Sequence, residues 1–198
     1  ALTAAAGKKV VLLAGTYTVD ASVSVPNNTT LSGVGAGTVI TIPTNYASSS
    51  IITNSDQTTG TGIAIHNLKV DGNRANQSVE LNGIVITAGG GTGATSRHGV
   101  DVENVHVEHV SGGALFLGII NSHIANNTVI DSNQGIIIID STNSIVSDNT
   151  IIDVTQVAID VATTSSDILV SNNIIARTSA GSTYEGIYLE ENSTRITV

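Results

Sequence analysis

The sequence contains no cysteine, no methionine and no tryptophan, and it has only two prolines among 198 residues. The absence of cysteine excludes disulfide bonds, thiolate metal sites and cysteine nucleophiles, so stability has to come from packing and backbone hydrogen bonds. Only 12% of the residues are charged, and the seven Lys and Arg are scattered along the chain. Because the formal net charge is −9, we expect neither nucleic acid nor an anionic membrane as a partner.

Long hydrophobic runs are also missing. The apolar runs, such as the one from Gly135 to Ile139, are far shorter than the roughly 18 residues of a membrane-spanning helix, so no membrane insertion is predicted. The first seven residues lack the basic region and cleavage site of a signal peptide. What remains is a series of short β-branched runs separated by Ser, Thr, Asn and Gly, a composition typical of strands and turns.

An internal repeat of about 22 residues organises these runs. Its first marker is an aliphatic residue, any residue, and then Asn or Asp, and the marker ends at Asn67, Asn104, Asn126, Asp148 and Asn172. Its second marker is a small residue followed by alternating aliphatics, as in Gly83 to Ile86 and Gly135 to Ile138. A fixed period of this length predicts a solenoid in which each repeat is one coil.

One interval between first markers is longer than the others. The stretch 88–99 accounts for the extra residues, and it is too rich in glycine to form a strand. We therefore predict that 88–99 is a loop insertion within a single domain that covers residues 1–198.

Side chains of a strand alternate between its two faces, so the first and third apolar residues of each second marker should point into the coil. One predicted inward column comprises Ile84, Ala114, Ile136, Ile159 and Ile187. The next comprises Ile86, Phe116, Ile138, Val161 and Leu189. A third, directly after the Asn/Asp positions, comprises Leu68, Val105, Asn127, Asn149 and Asn173.

The three asparagines of the third column, Asn127, Asn149 and Asn173, would be inside the coil. A buried amide without a partner costs about 1–3 kcal/mol, whereas amides stacked one coil apart can bond each other and the turn backbone. The pattern therefore predicts an asparagine ladder. The fold predicted is all-β, a single-stranded right-handed parallel β-helix of about eight coils, since no run of helical period follows residue 10.

The opposite side of the same strands would face outward. There Leu115, Leu117, Ile137 and Ile139 would form an apolar patch, which indicates an interface with a partner or a second copy, or else a surface covered by the glycine-rich loop.

Toward the C-terminus the outward column becomes polar, with Asp160, Tyr188 and Glu190. Carboxylates beside a tyrosine can carry out acid-base chemistry on a glycan or hold calcium. A solvated acidic rim is the simpler interpretation, so the catalytic residues stay unknown and these three are the candidates.

Histidines and carboxylates elsewhere raise the question of a metal. His106 and His109 flank Glu108, but zinc needs three or four converging ligands, and the repeat should spread the histidines over different coils and faces. Asp71-Gly72-Asn73 resembles half of a calcium loop without the later acidic ligands. We therefore predict no metal site and no cofactor, with calcium as the alternative.

Three stretches resemble a known family: residues 7–17, 25–35 and 68–74 are similar to characteristic sequence segments of the pectate-lyase-like superfamily. That superfamily includes polysaccharide lyases, mannuronan C5-epimerases and phage tailspikes, and the resemblance implies a right-handed β-helix whose active members bind a sugar chain along one face. The epimerases carry a Tyr-Gly-Phe-Asp-Pro-His cluster after a Ser-Gly step. Here its Tyr, Asp and His positions fall on Gly113, Phe116 and Gly118, so epimerase chemistry is not expected there.

These observations favour an extracellular, non-catalytic module at a cell surface or on a virion, which serves assembly or adhesion as a fibre-like or tailspike-like element and contacts polysaccharide. The alternative is a polysaccharide-active lyase or glycoside hydrolase that uses the C-terminal acidic residues. The sequence stops within a coil, and an open solenoid end exposes unpaired strand edges. We therefore expect a longer chain or a partner to cover that end.

Overall fold

The computed structural model describes residues 6–56, 58, 60–87, 98–176 and 185–198. Its regular structure consists of parallel strands and one short 3-10 turn at Arg74–Asn76. In chain order the strands are β1 (Lys9–Val11), β2 (Gly15–Thr18), β3 (Val23–Val25), β4 (Thr30–Ser32), β5 (Thr38–Thr41), β6 (Ser50–Asn54), β7 (Ala64–His66), β8 (Lys69–Asp71), β9 (Asn82–Ile86), β10 (Asp101–Glu103), β11 (His106–Leu117), β12 (His123–Ala125), β13 (Thr128–Ile139), β14 (Thr142–Ser147), β15 (Thr150–Ile152), β16 (Val157–Ala162), β17 (Ser166–Ser171), β18 (Ile174–Ala176), β19 (Glu185–Leu189) and β20 (Thr194–Thr197).

The strands lie on three faces of a coil. The first face contains β1, β4, β7, β10, β12, β14, β17 and β20 in that spatial order. The second face contains β2, β5, β8, the first halves of β11 and β13, β15 and β18, and the third contains β3, β6, β9, the second halves of β11 and β13, β16 and β19. Each strand thus pairs with the equivalent strand of the next coil, as the repeat predicted, and the all-β parallel β-helix is confirmed.

The Asn or Asp of the first marker forms the turn between the first and second faces. All five of these residues have left-handed backbone, with φ of 55° at Asn67, 54° at Asn104, 56° at Asn126, 58° at Asp148 and 56° at Asn172. Asn and Asp tolerate this conformation better than other residues with a Cβ, because their short polar side chains bond locally. The recurrence of these residue types is therefore a consequence of the turn geometry.

The predicted asparagine ladder is present in the turn that follows. Asn127 Nδ2 donates to Asn149 Oδ1 at 3.0 Å, and Asn149 Nδ2 donates to Asn173 Oδ1 at 2.9 Å. Asn127 and Asn149 are buried and Asn173 is half-buried. Each amide also donates to a backbone carbonyl about one coil back, so the column satisfies the turn backbone as well as itself.

Two shorter serine ladders continue this pattern beside the first face, and the sequence analysis did not identify them. Ser122 N donates to Ser144 Oγ at 3.2 Å, and Ser141 N donates to Ser165 Oγ at 3.2 Å. All four serines are buried. Their hydroxyls thus bond backbone groups at the corner where the third face leads into the first.

The interior of the third face differs from the prediction by one residue in one coil. Leu115 pairs with Ile84 and Ile136, and Leu117 pairs with Ile86 and Ile138, so both leucines are fully buried in the core. The prediction that Leu115 and Leu117 lie on an outward apolar patch is wrong. Phe116, predicted to be inside, is on the outer side in register with Val85 and Ile137.

A β-bulge in β11 is the cause of this shift. Val110 pairs with Ser132 and Gly113 with Gln134, so three steps along β11 correspond to two along β13. A bulge of this kind inserts one extra residue into one strand, and a one-residue slip moves every following side chain to the opposite face. The small residue that begins this second marker is therefore Ala114, rather than Gly113.

The glycine-rich loop predicted at 88–99 lies outside the described residues except at its end. There His98 forms an isolated parallel bridge with Ile120, and Gly99 N donates to Ile120 O at 3.1 Å. Within the part of the chain that the structure describes, no helix has the length and apolar character needed to cross a membrane.

Candidate functional site

The outer side of the third face presents one column of side chains, which we call the third-face column. It comprises Val85, Phe116, Ile137, Asp160 and Tyr188, which follow each other in register on β9, β11, β13, β16 and β19. Adjacent members lie one strand spacing apart, about 4.8 Å. The column is apolar in its first three members and polar in its last two.

Asp160 has the most perturbed environment among these residues. It is only 8% exposed, and its Oδ1 atom is buried without a hydrogen-bond partner among the described residues. Burial, followed by the nearby charges of Glu190 and Glu185, raises the pKa of Asp160 to about 6 from its usual 3.8. The carboxyl group is therefore a candidate proton donor near neutral pH.

The structure brings the three predicted acid-base candidates together at this end of the column. Tyr188 is the register partner of Asp160 and is 42% exposed. Glu190 lies close enough to raise the pKa of Asp160, and its Oε2 accepts a hydrogen bond from Thr163 N at 2.8 Å. None of the described strands of the third face contains Lys or Arg, so the group of acids has no cation on its own face.

The remaining members of the predicted apolar patch stay near the surface of the third face. Ile137 is in the outer column but is only 4% exposed, and Ile139 is half-buried. Of the positions that correspond to the epimerase cluster, only Phe116 lies in the outer column, whereas Gly113 and Gly118 are buried. An aromatic ring thus occupies the place of the aspartate.

Two groups of histidine and carboxylate side chains also converge outside the third face: Asp71 with Glu108 and His109, and His66 with Asp101 and Glu103. Within each group the ligand atoms lie within 4.8 Å of one another. Each group contains one histidine, and the two histidines lie on different faces, as the repeat predicted. The prediction did not consider carboxylates of neighbouring coils: Glu108 is in register with Asp71, and Glu103 with His66. The aligned first markers already placed His66 opposite Glu103, so the signal was available.

The group on the second face lies beside one lysine of the chain, Lys69, and a further histidine, His106. Lys69 Nζ lies 2.5 Å from Glu108 Oε1, and His106 Nε2 lies 2.8 Å from Glu108 Oε2. His109 Nδ1 lies 3.2 Å from Asp71 Oδ1. The same Asp71 oxygen accepts a hydrogen bond from Asn73 N at 2.9 Å. This bond closes a local turn over Asp71-Gly72-Asn73, the segment that resembles half of a calcium loop.

A polar groove lies next to this group, at the corner between the second and third faces. It has a volume of about 640 Å³ and is lined by Asp71, Asn73, Arg74, Ala75, His109 and Asp131. Within this groove, the Arg74 guanidinium donates to Asp131 Oδ1 at 3.2 Å and to Asn133 Oδ1 at 2.9 Å. The arginine is thereby held by carbonyl and carboxylate oxygens of the chain itself.

The group on the first face has a different balance of charge. His66 Nε2 lies 3.1 Å from Asp101 Oδ2, and Glu103 Oε1 accepts from Asn126 Nδ2 at 3.3 Å. Among the described residues, no Lys or Arg forms an ion pair with either carboxylate. Asp101 Oδ1 is buried and has no hydrogen-bond partner among these residues.

Comparison with known families assigns the chain to a class. The family described as right handed beta helix region matches residues 59–198, which is more than half of the sequence, and the chain belongs to that family. The parallel coil is thus a right-handed β-helix. No curated protein matches the chain.

Solved structures with the same fold include carbohydrate enzymes. The A-module of the mannuronan C-5 epimerase AlgE6 from Azotobacter vinelandii superposes with a TM-score of 0.80 at 22% identity, over 94% of this chain and 51% of that one. The AlgE4 A-module of the same organism gives 0.52 at 19% identity, over 98% and 68%. A pectin methylesterase in complex with a hexasaccharide gives 0.52 at 14% identity, over 87% and 58%.

These identities are low, so the likeness shows the fold alone. The chain spans about half the length of the AlgE6 A-module.

Proposed function

We propose that this chain is an extracellular, non-catalytic β-helix module that binds a neutral polysaccharide along its third face. The observation that carries the proposal is the third-face column, in which the aromatic residues Phe116 and Tyr188 flank Ile137 and Asp160 on one line. Aromatic rings offer flat apolar surfaces, and a largely buried acid beside them offers a hydrogen-bonding group for orientation.

The length of this column suits a short stretch of a glycan chain. From Phe116 to Tyr188 there are three strand intervals, or about 14 Å. The parallel strands hold the side chains at fixed spacing, so little conformational freedom is lost when a chain-like ligand binds. A polysaccharide that runs along the helix axis would therefore contact Phe116 and Tyr188, which are more exposed than Ile137 and Asp160 between them.

The charge of the face favours a neutral glycan over a uronate polymer. Asp160, Glu185 and Glu190 lie together, and the described strands of this face carry no Lys or Arg to neutralise a sugar carboxylate. Like charges placed against each other disfavour a partner. We therefore do not transfer the mannuronan named for the epimerases or the pectin named for the methylesterase to this chain.

The similar structures support a carbohydrate partner in a general way, since two are mannuronan epimerase modules and a third is in complex with a hexasaccharide. A polysaccharide partner implies a location outside the cell, at a cell surface or on a virion, and this location is part of the proposal. Assembly of identical copies through Phe116 and Ile137 is a competing use of the same face. The experiments have to distinguish it from glycan binding.

The test measures binding to soluble neutral glucans and xylans and to a polyuronate by isothermal titration calorimetry. We expect Phe116→Ala and Tyr188→Ala each to weaken binding of a neutral glycan about tenfold, the effect of one lost aromatic contact of about 1.4 kcal/mol. Leu169→Ala is the control, because Leu169 is a 38% exposed apolar residue on the first face. Equal affinity of all four proteins, or preference for the polyuronate, would contradict the proposal.

Light scattering of the same proteins separates glycan contact from self-association. If the face binds glycan, we expect the wild type and Phe116→Ala to have the same molecular mass in solution. A larger mass that Phe116→Ala reduces would assign the face to assembly instead.

A glycoside hydrolase is the second candidate, and the raised pKa of Asp160 is the observation that favours it. Asp160 would protonate the leaving oxygen, while Glu190 or Glu185 would act as the second carboxylate. Release of reducing ends from a glycan panel tests this function, and Asp160→Asn should abolish it. If the wild type releases no reducing ends, the non-catalytic function is favoured.

A further inference from the structure

We propose that His66, Asp101 and Glu103 on the first face bind a divalent transition-metal ion of the zinc type. The site lies on β7 and β10, adjacent strands of neighbouring coils, and so is separate from the third-face column. It offers one imidazole nitrogen and two carboxylates, which are ligands that zinc accepts in proteins. The proposal therefore does not depend on glycan binding.

The geometry of the strands holds the donor atoms close together. Glu103 and His66 are register partners, and Asp101 precedes Glu103 by two positions, which puts its side chain on the same side of β10. Ligands of a tetrahedral ion at about 2.1 Å from the metal are roughly 3.4 Å apart. The separation of His66 Nε2 from Asp101 Oδ2 is already 3.1 Å, and all three ligand atoms lie within 4.8 Å.

The orientation of Glu103 is supported by a second residue. Asn126 Nδ2 donates to Glu103 Oε1 at 3.3 Å from the turn of the next coil. Such outer hydrogen bonds orient metal ligands and are a common feature of metal sites. The glutamate is thereby directed along the face while its other oxygen is available to an ion.

The described residues satisfy the carboxylate of Asp101 only in part. Its side chain is 41% exposed, yet Oδ1 is shielded from solvent and has no hydrogen-bond partner among the described residues. An unsatisfied buried acceptor destabilises the fold, and does so more when it is charged. A cation bound at Oδ2, the oxygen that faces His66, would balance the charge of this carboxylate and so reduce that cost.

The two histidine and carboxylate groups differ in the charged residues around them. On the second face, the Lys69 ammonium lies 2.5 Å from Glu108 Oε1, so the chain itself neutralises that carboxylate. On the first face, the described residues provide only His66 as a partner for Asp101. The group without its own cation is the one that can accept a metal ion.

The donor set selects the class of ion. Calcium takes six to eight oxygen ligands in proteins, whereas this site supplies two carboxylates and one nitrogen. An imidazole with few ligands suits zinc or a neighbouring divalent transition metal. Three protein ligands on an open face would leave at least one coordination position for water or another oxygen ligand.

The test is a zinc titration of the tag-free chain, followed by calorimetry and by competition with a chromogenic chelator. We expect one zinc ion per chain and a higher melting temperature in its presence, because an ion that binds only the folded state stabilises it. His66→Ala and the nearly isosteric Glu103→Gln should each weaken zinc binding at least about tenfold.

His109→Ala provides the matched control, since it removes a histidine from the second-face group and should leave zinc affinity unchanged. Circular dichroism of each variant confirms that the β-helix is folded. Absence of saturable zinc binding by the wild type would overturn the proposal, and so would loss of binding in His109→Ala but not in His66→Ala. Neither result would bear on glycan binding at the third face.

Discussion

Replacement of Asn149 by alanine tests the ladder most directly, because this residue is the middle of the three amides and is fully buried. Its Nδ2 donates to Ile124 O at 3.0 Å and to Asn173 Oδ1 at 2.9 Å. Its Oδ1 accepts from both Asn127 N and Asn127 Nδ2 at 3.0 Å. Alanine removes all four hydrogen bonds at once.

The expected loss of stability follows from the groups that are left without partners. Asn127 N and Ile124 O lie in the interior, where an unsatisfied polar group costs about 1–3 kcal/mol. The lost amide also leaves a small cavity. We therefore expect Asn149→Ala to lower the free energy of unfolding by about 3–4 kcal/mol. Asn173→Ala should cost less, about 1–2 kcal/mol, because Asn173 is half-buried and water can replace part of the lost bonding.

Urea unfolding measures the effect, with fluorescence and circular dichroism as two probes whose transitions must coincide before free energies are compared. Gln156→Ala is the control, since Gln156 is an exposed amide on the same coil and such substitutions usually stay within about 0.5 kcal/mol. If Asn149→Ala is no more destabilising than Gln156→Ala, the ladder does not stabilise the turn and the reasoning is refuted.

Three further predictions concern the third face. The pKa of Asp160 is higher in the folded chain than its ordinary 3.8, so the folded state keeps a proton that the unfolded state releases, and stability falls as the pH rises from about 4 to 6. Asp160→Asn should therefore raise the melting temperature at about pH 7.5 but not at about pH 3.5; an equal shift at both would contradict this. Leu115→Ala should cost about 2–5 kcal/mol and Phe116→Ala much less, whereas the reverse order in urea unfolding would contradict the bulge register. Gly135→Ala should be destabilising, because a Cβ there would collide with the Ala158 carbonyl, while Gly186→Ala meets no neighbour and should be neutral in the same assay.

The asparagine ladder could be predicted from sequence because it depends only on position within the repeat. Side chains that recur once per coil lie above one another, and Asn127, Asn149 and Asn173 keep that spacing. The left-handed turn explains why Asn or Asp precedes each member. No long-range information beyond the period was needed.

The outer face could not be assigned in the same way. A single bulge between Val110 and Gly113 moves the side chains that follow it in β11 to the opposite face. The apolar pattern around Leu115 and Leu117 is compatible with both registers. Sequence periodicity does not reveal such an insertion, because alternating and continuous apolar runs look alike when both faces carry aliphatic side chains.

The sequence by itself determined the coil, its ladder and its turns, because each of these repeats with the chain and is local to one coil and its neighbour. The tertiary structure alone decided how closely side chains outside the core approach one another and how far water reaches them. It placed His66 Nε2 next to Asp101 Oδ2. It also buried Asp160 beside Glu190, so that desolvation and the neighbouring negative charge raise the pKa of Asp160. Those properties depend on distances between atoms and on access to water, which residue types and spacing do not contain.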